Sequence, residues 1–323
     1  YKDAYKYHKK DYWKRKLNNK FDNELLIGKN SLVKAKKIFK NNVDIVNIET
    51  SSYCNRKCGY CPVSVHGRNF KSFIEPNLYK NIINSLKSIN YSNSVCLNLY
   101  NEPLSDKNFG FYINHARKNL PLSIIKTNSN GDYIKSLNDL VNLEKLGLNK
   151  ITITMHTPKD KSYSEIYMKT SLKKFAKRIN FILDQNHLNN LGFCFQLNKL
   201  FVNVQCINFF EEGTNRGGSV DKILNLKERF SPCVKPYREF TVYYDGNVTP
   251  CCDIFNSRNY AKNRIYEVNS NDENSIFKIY ASDKLSAWRK HLFGCNKKEG
   301  VCGKCSALDL AEKEDNILRK KYL

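Results

Sequence analysis

The stretch VNIETSSYCNRKCGYCP at residues 46–62 decides the fold and the chemistry expected of this chain. Its first five residues, 46–50, alternate weakly between apolar and polar side chains, which predicts a β-strand. The strand ends in a loop that places Cys54, Cys58 and Cys61 within eight residues. Clustered cysteines in a reducing compartment are more often metal ligands than disulfide partners. The loop is therefore a candidate metal site at the end of a strand.

The spacing of these three cysteines indicates the kind of metal centre. Structural zinc sites use four protein ligands, commonly supplied by two separated CxxC pairs. Three local thiols without a neighbouring fourth fit a four-iron cluster better, since cysteine thiolates hold such clusters. One iron would then lack a protein ligand and could bind and cleave a small molecule. A structural zinc site or a chance grouping is the alternative.

Working outward from this loop, strands and helices alternate about six times between residues 45 and 220. The further strands are predicted at 94–100, 122–127, 150–155, 192–197 and 201–204. This alternation predicts parallel βαβ units, hence an α/β fold with a partial (β/α)6 TIM-type barrel. In such barrels the chemistry collects at the carboxyl ends of the strands. The cysteine loop, the turns at 101–104 and 127–131, and His156 all follow predicted strands and should share one rim.

The pattern changes from about residue 225. Asp245-Gly246 lies between apolar runs and predicts a β-hairpin, and a helix is predicted at 283–291 before a cysteine-rich tail. We therefore expect three parts: a basic helical N-terminal extension at 1–44, the barrel at 45–224, and a smaller C-terminal module at 225–323.

The C-terminal module holds a second group of cysteines. Four of them can close a coordination shell, and we name them the second cysteine set: Cys233, Cys251, Cys302 and Cys305. Their spacing alone does not separate zinc from an iron–sulfur cluster. Cys252 adjoins Cys251 and is expected not to be a ligand, because neighbouring residues rarely share one small cluster. The role of Cys295 stays open.

Charge narrows the possible partners. The chain has 323 residues, 41% of them hydrophobic, so it can bury a sizeable core. A formal charge of +23 fits an anionic partner, such as nucleic acid or a phosphorylated or nucleotide-linked substrate. However, lysines occur along the whole chain, which favours a solvated lysine-rich surface. Residues 1–40 are the densest, with 13 Lys/Arg against 4 Asp/Glu, and a docked amphipathic helix is favoured there over an RNA-contacting arm.

The sequence also bears on location. No uninterrupted apolar run reaches the roughly 18–20 residues needed to span a bilayer. Residues 1–20 are polar and basic, without the apolar core of a secretory signal. We therefore expect a cytoplasmic protein with no membrane partner.

The first cysteine motif resembles a known signature. CxxxCxΦC, with Tyr60 as the aromatic Φ, is similar to the signature of the radical S-adenosylmethionine (SAM) superfamily. The resemblance implies that Cys54, Cys58 and Cys61 hold a [4Fe–4S] cluster whose open iron binds SAM. It further implies reductive cleavage of SAM to a 5′-deoxyadenosyl radical, which abstracts a hydrogen atom from the substrate. Tyr60 would lie near the adenine of the cofactor.

A second stretch agrees with this superfamily. Residues 99–103, LYNEP, are similar to its Gly-Gly-Glu-Pro turn, with Tyr100 and Asn101 in place of the two glycines. The resemblance implies that Asn101 and Glu102 lie near the methionine amino group of SAM. The Glu102 carboxylate would then face an ammonium group. The alternative for Glu102 is a solvated turn carboxylate.

Two further strand ends match the superfamily less closely. The turn at 127–131 resembles its Thr-Asn-Gly turn, which implies cofactor binding by Thr127 and Asn128. Thr154 and His156 occupy the place where other members contact the ribose or the substrate. A strand-end histidine that is hydrogen-bonded for structural reasons is the alternative for His156.

The second cysteine set resembles the twitch module, a shortened SPASM domain that holds one auxiliary [4Fe–4S] cluster. Two [4Fe–4S] clusters and SAM are therefore the implied cofactors. Between residues 45 and 305, the chain is similar to the twitch-type 2-deoxy-scyllo-inosamine dehydrogenases of aminocyclitol biosynthesis. The shared motifs include Asn215-Arg216-Gly217-Gly218 and residues 246–251, GNVTPC. The similarity is patchy between motifs, and the N-terminal 45 residues lie outside it.

This resemblance implies an oxidoreductase that converts a carbinol of a sugar or aminocyclitol-like substrate, anionic or not, to a ketone. The auxiliary cluster would accept the second electron, and a flavodoxin or ferredoxin would supply the first. Arg216 would contact the substrate hydroxyl. Arginine is always charged and a poor base, so we expect Arg216 to orient the hydroxyl and to provide electrostatic support. The alternative is a loop arginine bonded to backbone carbonyls.

Two other function classes remain open. Twitch and SPASM proteins also modify ribosomally made peptides, so a peptide substrate and a maturase or epimerase reaction are the main alternative. A basic nucleic-acid-binding protein stabilised by two metal sites is a distant third. Such a protein would need neither a barrel nor a strand-end carboxylate, and the sequence predicts both. Nucleic acid is therefore not expected as a partner.

Overall fold

The computed structural model describes residues 23–28, 30–68, 70–220, 228–256, 263–293 and 296–307. Half of the expected N-terminal extension, residues 1–22, lies outside this description, as does Cys295. In the described part of the extension, Asn23–Leu26 form a 3-10 helix and Leu32–Asn42 form an α-helix. The α-helix begins at Ser31, whose hydroxyl accepts a backbone hydrogen bond from the first turn.

The described residues contain an eight-stranded sheet. Its strands are β1 (Ile45–Ile48), β2 (Ser94–Cys96), β3 (Ile124–Ser129), β4 (Lys150–Met155), β5 (Gly192–Gln196), β6 (Phe201–Cys206), β7 (Glu239–Val242) and β8 (Val248–Thr249). Their order in the sheet is β5-β6-β4-β3-β2-β1-β7-β8, with β5 and β8 at the two open edges. The six strands between the edges are parallel. The α/β class and the partial barrel predicted from the sequence are confirmed.

Two pairings differ from a simple βαβ series. The strand predicted at 192–197 forms as β5, but it pairs antiparallel with β6. The reason is that only residues 197–200 join the two strands, whereas parallel neighbours need a crossover of about a dozen residues. The sixth parallel strand is instead β7, which pairs with β1. The predicted hairpin, β7 and β8, therefore extends the same sheet.

Helices connect and cover the strands. In the barrel region they are Pro62–Val65, Pro76–Ser88, Phe109–Asn119, Leu137–Lys145, Glu165–Arg178, Gln185–Asn189 and Phe209–Glu212. The C-terminal region adds Lys235–Arg238, Ser275–Tyr280, Asp283–Phe293 and Gly300–Gly303. Among the described helices, none has both the length and the apolarity to cross a membrane.

Aromatic packing joins the two ends of the chain at the core. Phe39, which is fully buried, makes edge-to-face contacts with Phe240, Phe277 and Tyr280 at centroid distances of 5.4, 5.2 and 5.1 Å. Phe240 belongs to β7 and the other two rings belong to the helix Ser275–Tyr280. The N-terminal helix, β7 and a C-terminal helix thus share one core.

The carboxyl ends of the parallel strands meet at one edge of the sheet. β1 leads into the cysteine loop, β3 ends at Ser129, and β4 ends one residue before His156. The parallel register pairs Ser129 with Ile153, which puts the ends of β3 and β4 side by side. The fold therefore gathers the loops singled out from the sequence on one rim.

Candidate active site

A cavity of about 310 Å³ opens at this rim. Cys54, Cys58 and Cys61 all line it. Of the eight other residues predicted for the barrel site, seven line the same cavity: Tyr60, Asn101, Glu102, Asn128, Thr154, His156 and Arg216. Thr127 is not among the lining residues. The structure thus brings together the first cysteine motif and nearly all of its expected neighbours.

An ion pair fastens the cysteine loop to the turn after β3. The Arg56 guanidinium donates to both carboxylate oxygens of Asp132, at 2.8 and 2.6 Å. The Asn55 amide also donates to Asp132, at 2.8 Å, and accepts a hydrogen bond of 2.8 Å from Asn130. Two parallel N–H donors fix the guanidinium in one plane against the carboxylate. The segment between Cys54 and Cys58 is therefore held in a defined position.

A second, buried ion pair holds the other side of the loop. Glu49 follows β1 and is fully buried, and it accepts two hydrogen bonds from Arg68, at 3.1 and 2.6 Å. The same carboxylate accepts a bond of 3.1 Å from the Tyr100 amide. Glu49 thus links the ends of the cysteine loop to the turn that carries Glu102.

The Glu102 carboxylate lines the cavity although only 2% of the residue is exposed. It accepts hydrogen bonds from the Ser129 hydroxyl at 2.8 Å, the Asn130 amide at 2.7 Å and the Leu104 amide at 3.1 Å. Burial raises the pKa of Glu102 to about 7, against the lowering effect of these bonds. A bound cation would favour the ionised form, as a carboxylate that faces an ammonium group requires.

Tyr60 and His156 form a hydrogen-bonded pair on the cavity wall. The Tyr60 hydroxyl lies 2.7 Å from Nδ1 of His156, and the Phe209 ring stacks on Tyr60 at a centroid distance of 4.7 Å. Burial lowers the pKa of His156 to about 4, and the nearby Arg56 adds to this effect. His156 is therefore a neutral hydrogen-bonding group near pH 7.

Asn98 is a cavity residue that the sequence analysis did not single out. Its side-chain oxygen accepts hydrogen bonds from the Thr127 hydroxyl at 3.3 Å and from the Asn128 backbone and side chain at 2.8 and 3.2 Å. Thr127 is buried and turned to Asn98, which explains its absence from the wall. A buried asparagine inside a strand predicted as apolar was the available signal, since such groups need partners.

Thr154 and Asn101 line the cavity and also form hydrogen bonds with neighbouring side chains of the protein. The Thr154 hydroxyl accepts from the Gln205 amide at 3.3 Å, which brings a second residue missed from the sequence onto the wall. Asn101 donates to the hydroxyls of Thr50 and Ser51 at 3.1 and 3.3 Å. Its position is therefore set by the strand end that precedes the cysteine loop.

Arg216 reaches the cavity from a strained loop. Its φ is 52°, a left-handed conformation that is unfavourable for a residue with a Cβ. Its guanidinium lies 5.7 Å from the Tyr100 ring centroid, and Nη1 donates to Asp253 at 3.0 Å. Burial alone would raise the pKa of Asp253, but the cations of Lys235 and Arg216 hold it below its usual range. The carboxylate is therefore ionised.

The second cysteine set surrounds a separate small cavity of about 10 Å³. All four thiols line it, and three of them belong to residues no more than 9% exposed: Cys233, Cys251 and Cys302. Asp253 and Lys235 lie on the same wall. Cys252 is not among the lining residues, in keeping with the expectation that it is not a ligand. The C-terminal region thus collects four thiols from distant parts of the sequence.

Two known protein families match this chain, and each match covers one of the two cysteine sites. Residues 48–189 match the family described as the Radical SAM superfamily. Residues 233–306 match SPASM, described as an iron–sulfur cluster-binding domain. The chain carries a radical SAM domain and a SPASM domain. The first match contains Cys54, Cys58 and Cys61, and the second spans the whole second cysteine set.

The chain also resembles known proteins along most of its length. It is 26% identical over 271 residues to an S-adenosyl-L-methionine-dependent 2-deoxy-scyllo-inosamine dehydrogenase of Niallia circulans, covering 84% of this chain and 95% of the relative. A crystal structure of BtrN in complex with AdoMet and 2-DOIA matches with a TM-score of 0.59 at 24% identity, covering 84% and 96% of the two chains. BtrN in an open conformation gives a TM-score of 0.54 at 22% identity, covering 82% and 92%. The structural matches establish a shared fold.

Both sites collect the cysteine side chains that hold iron–sulfur clusters. Among the described residues, no three His, Cys, Asp or Glu side chains converge closely enough to hold one ion. Burial raises the pKa of Cys54 to about 12 and of Cys58 to about 11. Only a strong positive centre would keep such thiols ionised. Three thiols at the first site suit a cluster with one iron open to a ligand, and four thiols at the second suit a cluster whose irons are all held by the protein.

Proposed function

We propose that this radical SAM enzyme oxidises a carbinol carbon of a sugar or aminocyclitol-like substrate to a ketone. One observation carries this proposal: Arg216 lines the first cavity, and its partner Asp253 lines the second. A side chain suited to a substrate hydroxyl thus lies between the two thiol sites. An oxidation that removes two electrons in separate steps needs such an arrangement. The dehydrogenase relative supports the same reaction type.

The protein residues divide into two groups of ligands. Cys54, Cys58 and Cys61 would hold the first [4Fe–4S] cluster, with SAM at its open iron. The second cysteine set would hold the auxiliary [4Fe–4S] cluster. When bound, SAM and the clusters supply a radical that abstracts hydrogen and an acceptor for the second electron.

Around this centre, the chain positions the cofactor and the substrate. Glu102 would bind the SAM ammonium group, and Tyr60 would lie near the adenine. Asn101, Asn128 and Thr154 supply neutral hydrogen-bonding groups on the same wall. Thr127 acts at one remove, because its hydroxyl fixes Asn98 instead.

Arg216 and His156 act on the substrate. The Arg216 guanidinium orients the carbinol hydroxyl and stabilises negative charge on its oxygen as the proton leaves. Neutral His156, held through Nδ1 by Tyr60, offers Nε2 as a hydrogen-bonding partner for a second substrate group. The substrate loses one hydrogen atom, one proton and one electron, and becomes two mass units lighter.

The described cysteines are all free thiols, which suits a reducing cytoplasm. A reduced flavodoxin or ferredoxin is the electron donor we expect there. The charge of Arg56 on the cavity wall is neutralised by its ion pair with Asp132. A neutral sugar or cyclitol fits this wall at least as well as an anionic one.

Anaerobic turnover of reconstituted enzyme with sugars, cyclitols and peptides tests the proposal. Product mass and 5′-deoxyadenosine are measured together. A product two mass units lighter, with one deoxyadenosine per turnover, supports dehydrogenation. An unchanged mass in H₂O with uptake of solvent deuterium in D₂O would show epimerisation. A cross-linked peptide would support a maturase, and either of these results overturns the proposal.

A further inference from the structure

We propose that Asp253 is the positioning residue that fixes the Arg216 guanidinium in the first cavity. This inference rests on the proposed function in so far as Arg216 meets the substrate. Asp253 is 1% exposed and accepts hydrogen bonds from three side chains. Thr214 donates at 2.8 Å and Arg216 at 3.0 Å, and Lys235 donates from the opposite side. The carboxylate lies between the two thiol sites and touches a lining residue of each.

The segment that carries Asp253 is itself held firmly. The Cys252 amide donates to Glu239 at 3.1 Å, and the Cys252 carbonyl accepts from the Tyr100 hydroxyl at 2.8 Å. Glu239 begins β7, so the segment is anchored to the central sheet. Tyr100 lies in the turn that carries Glu102. The carboxylate therefore has a fixed position relative to both the sheet and the cofactor-binding turn.

The Arg216 side chain, in contrast, extends from a strained backbone and is held in place by its contacts with other residues. Arg216, Gly217 and Gly218 have φ values of 52°, 63° and 80°. Two of these residues are glycines, for which positive φ carries no penalty, but Arg216 has a Cβ. Its long side chain also has many rotamers available. The bond to Asp253 and the contact with the Tyr100 ring select one of them.

The geometry divides the guanidinium between two tasks. Nη1 donates to Asp253, and within the described residues this is the hydrogen bond that the Arg216 side chain makes. A guanidinium has five N–H donors in a rigid fork, so fixing one end aims the others. Because Arg216 lines the first cavity, the remaining donors are offered to a ligand there. Asp253 thus controls where the substrate hydroxyl is bound without touching the substrate.

Charge explains why a carboxylate occupies this position. Asp253 neutralises two cations, Arg216 and Lys235, on either side of it. Replacing Asp253 by asparagine keeps the size and one acceptor oxygen but leaves the two cations to repel each other. Arg216 is the more exposed of the two, at 30% against 21%, so its side chain is the one that moves.

The test compares holoenzymes of the wild type, Asp253→Asn, Arg216→Lys and the double variant, with Asp44→Asn as a matched control. Asp44 pairs with Arg238 at 2.8 Å beside the amino end of β1, far along the strand from the rim. Asp253→Asn is expected to lower kcat/KM by about tenfold, mainly through KM, while deoxyadenosine formation changes by less than about twofold. The double variant is expected to match Arg216→Lys alone. Asp44→Asn is expected to stay within about twofold of the wild type.

A substrate-free measurement accompanies the kinetics. Modification of Arg216 by phenylglyoxal is followed by peptide mass mapping on anaerobic holoenzyme. The rate is expected to rise about fivefold or more in Asp253→Asn, because the guanidinium is released from its partner. Asp44→Asn is expected to leave the Arg216 rate unchanged.

The outcomes separate this inference from the proposed function. If the wild type oxidises no carbinol, the proposed function fails, and the modification rate alone decides the role of Asp253. Equal rates of Arg216 modification in the wild type and Asp253→Asn overturn the inference. A kcat/KM of Asp253→Asn within twofold of the wild type also overturns it. So does a double variant whose loss of kcat/KM is the product of the two single losses.

Discussion

The first cysteine motif and the second cysteine set solve different problems with the same side chain. Cys54, Cys58 and Cys61 come from one short loop and face a cavity of about 310 Å³ lined by both polar and apolar side chains. The second set comes from residues 233–305 and surrounds only about 10 Å³. The first site has three thiols with room beside them for a small molecule, whereas the second has four thiols around a much smaller space. In the proposed function the first site performs chemistry on a ligand and the second exchanges electrons.

The supports of the two sites differ in the same way. The cysteine loop is fixed by ion pairs at its sides, such as Arg56–Asp132, which leave the cavity face open. The second site is enclosed by buried groups, including the Arg229 guanidinium, whose three nitrogens each donate to a backbone carbonyl. Asp253 and Arg216 form the contact between the two.

Removing one ligand of the first site has the largest effect. Cys58→Ala is expected to reduce SAM cleavage below about 1% of the wild-type rate, because a cluster with two thiolates is not retained. Iron analysis is expected to fall from about eight to about four irons per chain, since the second site is unaffected. Retention of eight irons, or of SAM cleavage, would mean that the loop is not the cluster site.

The matched change in the second site separates its role. Cys302→Ala is expected to leave about four irons and to keep SAM cleavage within roughly threefold of the wild type, while ketone formation falls roughly 100-fold or more. Deoxyadenosine and ketone are measured in the same reaction. Parallel loss of both products would show that the two sites are not independent.

Arg216→Lys tests the contact between the sites. Lysine keeps the charge but loses the planar fork, so kcat/KM for the carbinol is expected to fall roughly 10- to 100-fold. Deoxyadenosine formation without product is expected to become the main reaction. A variant with wild-type coupling of the two products would remove Arg216 from the substrate site.

The ionisation of Glu102 is expected to make SAM binding at the first cysteine site depend on pH. Its pKa is raised to about 7 by burial, so the free carboxylate is protonated below that pH and ionised above it. Only the ionised form attracts the SAM ammonium group, so SAM binding is expected to weaken by up to about tenfold per pH unit below pH 7. Calorimetric titration between pH 5.5 and pH 8.5 measures this slope. Glu102→Gln is expected to flatten the profile, and an unchanged slope in that variant would assign the titration to another group.

Much of the fold follows from local sequence patterns. The β4 boundaries agree with the prediction at 150–155, and the Asp245-Gly246 hairpin forms as β7 and β8. The partnership of β1 with β7 was not predicted. It joins segments about 190 residues apart, and no local periodicity encodes such a pairing. The strand β5 was predicted, but its antiparallel pairing was missed because the short connection to β6 allows no crossover helix.

The site divides in the same manner. The strand-end positions were enough to predict that the cysteine loop, Glu102 and His156 would lie at one rim, whereas Arg216 was singled out only through a resemblance. Asn98 and Gln205 escaped notice because single amides in strands have no distinctive spacing. Asp253 escaped because its three partners meet it only in the folded chain.

The contrast between an open and a closed cluster site is tested most directly by electron paramagnetic resonance of the reduced protein with and without SAM. Cys302→Ala reports the first site alone, and Cys58→Ala reports the second alone. The account predicts that SAM shifts the signal of Cys302→Ala and leaves that of Cys58→Ala unchanged. A SAM-dependent shift in Cys58→Ala, or none in Cys302→Ala, would contradict it.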